Sequence, residues 1–191
     1  MSNPEYAKIG NKLYEINTDF KVALRCEQVA MDDTIEDTER ALAIIYLLYG
    51  EEGLRSQNDY EELLKKATIY LSCGKDMPKN GETADMDFAQ DKAYIKASFY
   101  TDYNIPDIYN TDMHWYDFIT LMNGLKEDCV LNRVREIRNY DTSNIKDNKT
   151  LMQIMKQKEA VALKKKKPKM TKEQEESFEH FIELMNWKWG D

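Results

Sequence analysis

A chain of 191 residues with 42% hydrophobic side chains and a net charge of −8 carries enough apolar material for one substantial core, or a core plus a small appendage, and this excludes disorder throughout. The negative charge opposes non-specific attachment to nucleic acid phosphates. No apolar run approaches the roughly 20 residues of a membrane-spanning helix, and the opening MSNPEYAKIG has neither the basic region nor the apolar stretch of a signal peptide, so a cytoplasmic protein is expected. Cys26, Cys73 and Cys129, odd in number and far apart, form neither a disulfide framework nor a metal clamp and are read as buried thiols. Charge is unevenly spread: residues 1–128 hold 25 acidic and 13 basic side chains, residues 129–191 hold 10 and 14, so the two parts can attract each other or a partner.

Few glycines and prolines (7 and 4) and long runs with helical apolar spacing predict a mainly α fold. The start is the exception. In residues 6–16 Gly10-Asn11 separates Tyr6/Ile9 from Leu13/Tyr14/Ile16, predicting a short β-hairpin or extended arm. Thr18 or Asp19 then caps a helix carrying Phe20, Ala23, Leu24 and Met31, and Asp32-Asp33-Thr34 interrupts before a second helix. That helix ends in residues 41–49, ALAIIYLLY, apolar all round and therefore expected at the centre of the core. Asn58 with Glu61 resembles a capping box for a third helix with the stripe Leu63, Leu64, Ala67, Tyr70 and Leu71, stopped by Gly74. Residues 75–87 read as an exposed loop.

Asp87 with Gln90 caps the next helix, which places Tyr94, Ile95, Phe99 and Tyr103 on one face and must end before Pro106. Trp115, Phe118, Ile119, Met122 and Leu125 recur at spacings of three and four, the broadest aromatic stripe of the chain. Beyond Glu127-Asp128, a helix faces Val130, Leu131, Val134 and Ile137 inward and spreads Arg133, Arg135 and Arg138 around it; Asn148 starts another with Leu151, Ile154 and Met155. The organisation expected is a compact helical body with its N-terminal arm over residues 1–163, a basic linker over 164–170 (KKKKPKM) and a tethered C-terminal amphipathic helix over 171–191. Thr171 and Gln174 cap that helix, and its stripe is Phe178, Phe181, Ile182, Met185 and Trp189.

Little in the chain suggests catalysis. The two histidines, His114 and His180, lie far apart, and Glu176 and Glu183 beside His180 read better as a solvated helix face than as a metal site. His114, within Asp112-Met113-His114-Trp115, reads as a structural histidine near a helix start that Asp112 could cap. There is no phosphate-binding glycine loop and no nucleophile elbow. An enzyme, a cofactor and a metal are therefore not expected. Lys164–Lys167 with Lys169, and Arg133/Arg135/Arg138 before Tyr140, are the only basic groupings; the first reads as a solvated linker and the second as partners for the acidic body.

Residues 87–108, DFAQDKAYIKASFYTDYNIPDI, and 112–141, DMHWYDFITLMNGLKEDCVLNRVREIRNYD, resemble the bacteriophage gene-product-fifteen family. The order of features carries the likeness: Asp91, Tyr94 and Ile95; Tyr103-Asn104-Ile105; His114-Trp115 with Phe118 and Gly124-Leu125; and Ile137-Arg138 before a polar turn. Asp19-Phe20, the Leu-rich second helix and residues 70–75, YLSCGK, extend it to about residues 12–163. Trp115-Tyr116 and Ile69-Tyr70 depart from the tryptophan-containing pairs of the family, by aromatic or apolar replacements. The resemblance implies a tail assembly chaperone of long-tailed phages that binds the tape measure protein, and the major tail protein as a further candidate. A structural tail or connector component retained in the virion is the competing reading, and a nucleic acid binder using the lysine run a third. Trp115, Phe118, Met122, Phe178, Phe181, Ile182, Met185 and Trp189 are the candidate partner contacts, with self-association a further use for the terminal stripe. Neither nucleic acid nor membrane is an expected partner.

Overall fold

The chain enters through a hairpin whose two arms, β1 (Tyr6–Ile9) and β2 (Lys12–Glu15), pair antiparallel with Ala7 opposite Tyr14. Gly10 at φ +56° supplies the left-handed turn residue that a two-residue hairpin loop favours. Because successive strand residues face opposite sides, Ala7 and Tyr14 are buried while Tyr6 and Leu13 are exposed. Leu13, grouped by sequence with Tyr14 and Ile16, thus turns to solvent. The Tyr14 hydroxyl donates to Asp59 at 2.6 Å, and Asn17 N–H donates to the Leu48 carbonyl at 2.8 Å, fastening the arm to the body. The structure is a computed structural model and describes residues 3–32, 34–74 and 85–164; the linker and terminal helix expected beyond Lys164 lie outside them.

Seven α-helices follow among the described residues: α1 (Phe20–Ala30), α2 (Asp37–Arg55), α3 (Tyr60–Leu71), α4 (Lys92–Tyr103), α5 (Trp115–Asn123), α6 (Val130–Asn139) and α7 (Asn148–Val161). Asp19 caps α1, its carboxylate accepting from Lys21 N–H at 2.9 Å, and Phe20, Ala23 and Cys26 are buried. Met31 lies past the helix end and is exposed. A capping box of Glu36 and Glu39 opens α2, satisfying N–H groups that the first turn leaves over. Ile45, Leu48 and Tyr49 of α2 are buried, but Tyr46 is 52% exposed, so the helix is covered on one side, by α1 and α3, rather than all round. Its amphipathic ring gives Tyr46 a polar end to leave in water. Gly50 at φ +63° kinks α2, which then continues to Arg55.

No Asn58/Glu61 capping box forms. A turn of 3-10 helix, Gln57–Asp59, leads directly into α3 without a side-chain cap, and Asp59 is engaged by Tyr14 and Lys12 instead. Leu63, Ala67 and Tyr70 form the buried stripe. The helix closes where Gly74 (φ +71°) donates its N–H back to the Ile69 carbonyl at 2.9 Å, as C-terminal glycines do. Asp87 accepts from Ala89 and Gln90 N–H one turn before α4, and Asn104 at φ +55° ends that helix ahead of Pro106.

The core is an aromatic stack built on Phe118. Its ring lies 4.4 Å from Phe20 of α1, 5.6 Å from Phe99 of α4 and 5.8 Å from Trp115, all near parallel. In α6 Leu131 and Val134 are buried, whereas Val130, expected inward, is 37% exposed at the first position of the helix. Ser98, inside α4 and fully buried, accepts from Leu131 N–H at 3.0 Å and so caps α6 from its neighbour.

Glu27 on α1 is a partly buried carboxylic acid. Burial first, and the charge of Asp87 second, push its pKa up to about 7. A raised carboxyl pKa means that the folded protein holds a proton the unfolded chain gives up near the ordinary carboxylate range. The associated stability is full below that range and is lost as pH rises through about 7. Glu27→Gln is therefore expected to stabilise the protein at pH 8 by about 1–2 kcal/mol, the shift being discounted for partial exposure, with the gain shrinking toward pH 5. Melting temperatures of both proteins at the two pH values check this; a gain that does not depend on pH contradicts it.

Candidate functional site

Two residues of the recognisable pattern, Asp91 and Arg138, meet inside the molecule. Asp91 lies just ahead of α4 and is 1% exposed; Arg138 is in the last turn of α6. Arg138 Nη2 donates to Asp91 Oδ1 at 2.7 Å and Nη1 to Oδ2 at 2.8 Å, a bidentate pair. Two further donors are used: Nη1 also bonds the Asp85 carbonyl at 2.8 Å and Nε the Val161 carbonyl at 2.7 Å. Asp87 N–H supplies a third bond to Asp91, at 3.0 Å. The bond to Asp91 holds the guanidinium charged, above even its ordinary range. One side chain therefore joins the entry to α4, the end of α6 and the end of α7, with the polar satisfaction a buried ion pair requires.

The other two arginines of α6 also meet acidic groups, Arg135 with Asp85 at 3.2 Å and Arg133 with Asp128 at 3.9 Å. Burial alone would raise Asp85, but the adjoining Arg135 guanidinium and the hydrogen bond from Asn139 outweigh it and hold that carboxyl below its usual range. This is the pairing of basic C-terminal half with acidic body that the charge distribution suggested.

On the far side of the pair lies an open apolar groove of about 1180 Å³ between the end of α6 and α7. Leu151, Met152, Met155, Ala162 and Leu163 give it an apolar surface, with Arg138 and Lys156 at its margins. Asp147 caps α7 by accepting from Thr150 N–H at 2.8 Å. The helix packs on α6, yet none of its residues is fully buried; Met152 is 74% and Met155 53% exposed. After α7 the chain is tied down again, Lys164 N–H donating to Gln90 Oε1 at 2.8 Å and Gln90 Nε2 donating back to the Lys164 carbonyl at 3.3 Å. Arg138 thus lines the groove and ties the end of α7 to α6 beside it.

Of the candidate contacts on α5, Trp115 (3% exposed) and Phe118 (0%) are core residues. The indole of Trp115 donates to the Leu71 carbonyl at 3.1 Å. Met122 is partly buried against the same core. None of the three shares the groove. Phe178, Phe181, Ile182, Met185 and Trp189 lie outside the described residues, as do His180 and the lysine run beyond Lys164. Sequence reasoning placed Leu151, Ile154 and Met155 on one helix but did not mark α7 as a surface. The available signal was a helix whose larger apolar side chains are only Leu151, Met152, Ile154, Met155 and Val161, two of them methionines.

His114 is itself the N-cap of α5, its Nδ1 accepting from Tyr116 N–H at 3.0 Å, while Nε2 faces the Pro4 carbonyl at 3.2 Å. A neutral ring protonated on Nε2 satisfies both contacts. Asp112, expected as the cap, pairs with Lys21 at 3.2 Å. The backbone around His114 bridges to the start of α1, Phe20 N–H to Met113 O at 3.0 Å and Trp115 N–H to Thr18 O at 2.8 Å. His114→Gln is accordingly expected to cost about 1 kcal/mol of stability, which thermal melts of the two proteins check. An unchanged melting temperature would contradict the capping role.

Cys26 and Cys129 are buried thiols, as expected, whereas Cys73 is only half-buried. Burial pushes the Cys26 thiol up to about 12, and Cys129 Sγ accepts from Asn132 N–H at the start of α6. Among the described residues no group of three or more His, Cys, Asp or Glu side chains could hold a metal ion, and no helix is long and apolar enough to cross a membrane.

No curated protein and no solved structure matches this chain significantly. The family description "Bacteriophage Gp15 protein" matches residues 4–163, which takes in the hairpin, all seven helices, the Asp91–Arg138 pair and the groove, and reaches further toward the N-terminus than the motifs alone suggested. The chain belongs to the bacteriophage Gp15 protein family.

Proposed function

We propose that this chain is a phage tail assembly chaperone, acting without catalysis in the host cytoplasm, which binds and solubilises the tape measure protein until the tail tube forms around it. The groove between α6 and α7 is the observation that carries the reading. It is larger than the roughly 300–1,000 Å³ of ordinary small-molecule sites and open along one helix, the form that accepts an amphipathic helix by its apolar face. A long helical tail protein exposes many such faces before assembly. Methionines at the rim, Met152 and Met155, suit a surface that must take several related segments, because unbranched thioether side chains repack at little cost. The family assignment supports a phage role and is consistent with tail morphogenesis.

Quantitative mass spectrometry of purified particles tests this reading against a retained tail or connector component. A chaperone is expected to be abundant in infected cells and absent or trace in the virion. Recovery in stoichiometric proportion to the tail proteins would overturn the proposal and favour a connector.

A further inference from the structure

We infer, resting on the reading of the α6–α7 groove as a helix acceptor, that the helix it takes carries acidic side chains beside its apolar stripe and that Lys156 selects it.

The floor of the groove holds such a helix without choosing among helices. Leu151, Met152, Met155, Ala162 and Leu163 are apolar, and Met152 and Met155, three positions apart on α7, share one exposed side of it. Any amphipathic helix can lay its stripe on that surface, so selection falls to the charges at its edge.

Most of those charges are already committed. Arg138 is held by Asp91, and Asp85 by Arg135 at 3.2 Å. Lys158 is half-buried, donates to the Tyr140 carbonyl at 2.6 Å and lies in the field of Asp141. Lys156 is different: it is exposed, stands one turn on from Met152, and has no ion pair among the described residues. Glu159 is the one acidic neighbour left on the groove.

The surroundings tip this local balance. Over residues 146–164 the chain carries Lys146, Lys149, Lys156, Lys158 and Lys164 against Asp147 and Glu159, and Asp147 is taken up in capping α7. Residues 1–128 carry 25 acidic and 13 basic side chains. The groove therefore lies at the positive end of an acidic protein. A helix with acidic flanks is repelled by the rest of the surface and drawn to this one place. A helix with basic flanks meets like charge along α7 and is drawn to the acidic body instead. A second copy pairing α7 with α7 about a two-fold axis sets lysines against lysines, so the charge pattern favours a different partner.

Fluorescence anisotropy of the full chain with two helix-forming peptides of about 20 residues tests this. The peptides share one leucine stripe at helical spacing and differ only in its flanks, glutamate in one and lysine in the other. At about 50 mM salt, where charges are weakly screened, the glutamate peptide is expected to bind about tenfold or more tightly than the lysine peptide, with the ratio falling as salt rises. Lys156→Glu, an exposed change, is expected to reduce that ratio about threefold or more at an unchanged melting temperature. Met152→Gln/Met155→Gln, which alters no charge, is expected to weaken both peptides alike.

Equal affinity of the two peptides, or a ratio that Lys156→Glu does not move, would overturn the inference; if the methionine variant still loses both peptides, the helix-acceptor reading stands without it. Binding of neither peptide would overturn both. Single-stranded RNA, or a glutamate peptide lacking the leucines, bound as tightly as the glutamate helix would overturn the inference in favour of plain anion attraction. So would a wild-type dimer that the methionine variant dissolves, since a second copy would then fill the groove.

Discussion

Arg138→Met is expected to lower the stability of the body by about 3–5 kcal/mol, the usual cost of removing one partner from a buried ion pair. The loss is large because Asp91 has nowhere to go. At 1% exposure its carboxylate would keep only the Asp87 N–H at 3.0 Å and would stand as a nearly unpaired buried charge. The carbonyls of Asp85 and Val161, which Arg138 also serves, would lose a donor as well. Urea denaturation checks the magnitude. Hydrogen exchange checks the mechanism, since the end of α7 and the entry to α4 should open before the hairpin and α1 to α3. A double variant, Asp91→Leu/Arg138→Met, should recover much of the loss, because two apolar side chains remove the stranded charge. A loss under about 1 kcal/mol for Arg138→Met would show that water or another cation reaches Asp91.

Phe118→Ala is the second large effect, again about 3–5 kcal/mol, but by a different route. Phe118 is fully buried and sits against rings contributed by α1, α4 and its own helix, with Phe88 tilted at 6.1 Å on a further side. Deleting the ring removes its burial and leaves a cavity that four large neighbours cannot all move to fill. Phe118→Leu, keeping most of the volume, should cost less than half as much. Equal losses for the two variants would mean that the stacked geometry rather than the filled volume is what matters at this position.

These two residues also show which parts of the molecule were legible in the sequence. Phe118 sits in a stripe with a helical period, which reports a face to be covered but not what covers it; Phe118 was a candidate partner contact, and the structure buries it against the chain's own helices. The hairpin around Gly10 was legible for another reason, a turn residue that takes the left-handed conformation without steric cost. Leu13 was misjudged because two adjacent apolar residues on a strand cannot both face inward, and only the pairing of Ala7 with Tyr14 decides which one does. Tyr46 was misjudged because an apolar run reports what a helix could bury, not how many neighbours it has. Two expected caps did not form: a 3-10 turn runs straight into α3, so Asn58 and Glu61 make no box, and the Asp112 side chain is held by Lys21, leaving His114 to cap α5.

The Asp91–Arg138 pair was half legible. Both residues stood out in the recognisable pattern, and the arginines of α6 were expected to meet acidic groups. Nothing local, however, selects one carboxylate 47 positions away from the many in the chain. The groove was less legible still, because an exposed apolar surface depends on what fails to cover it. α7 reads as an ordinary amphipathic helix until its neighbours are known.

The most direct test of the chaperone reading is to recover this chain from infected cells before tails have assembled and to identify what accompanies it. Beside the wild type, Met152→Asp/Met155→Asp should be recovered in parallel, since both side chains are exposed and their replacement leaves the core untouched. The reading predicts the tape measure protein as the main companion of the wild-type chain, and its loss from the groove variant. A wild-type chain that comes out without the tape measure protein, or a groove variant that retains it undiminished, would contradict the account.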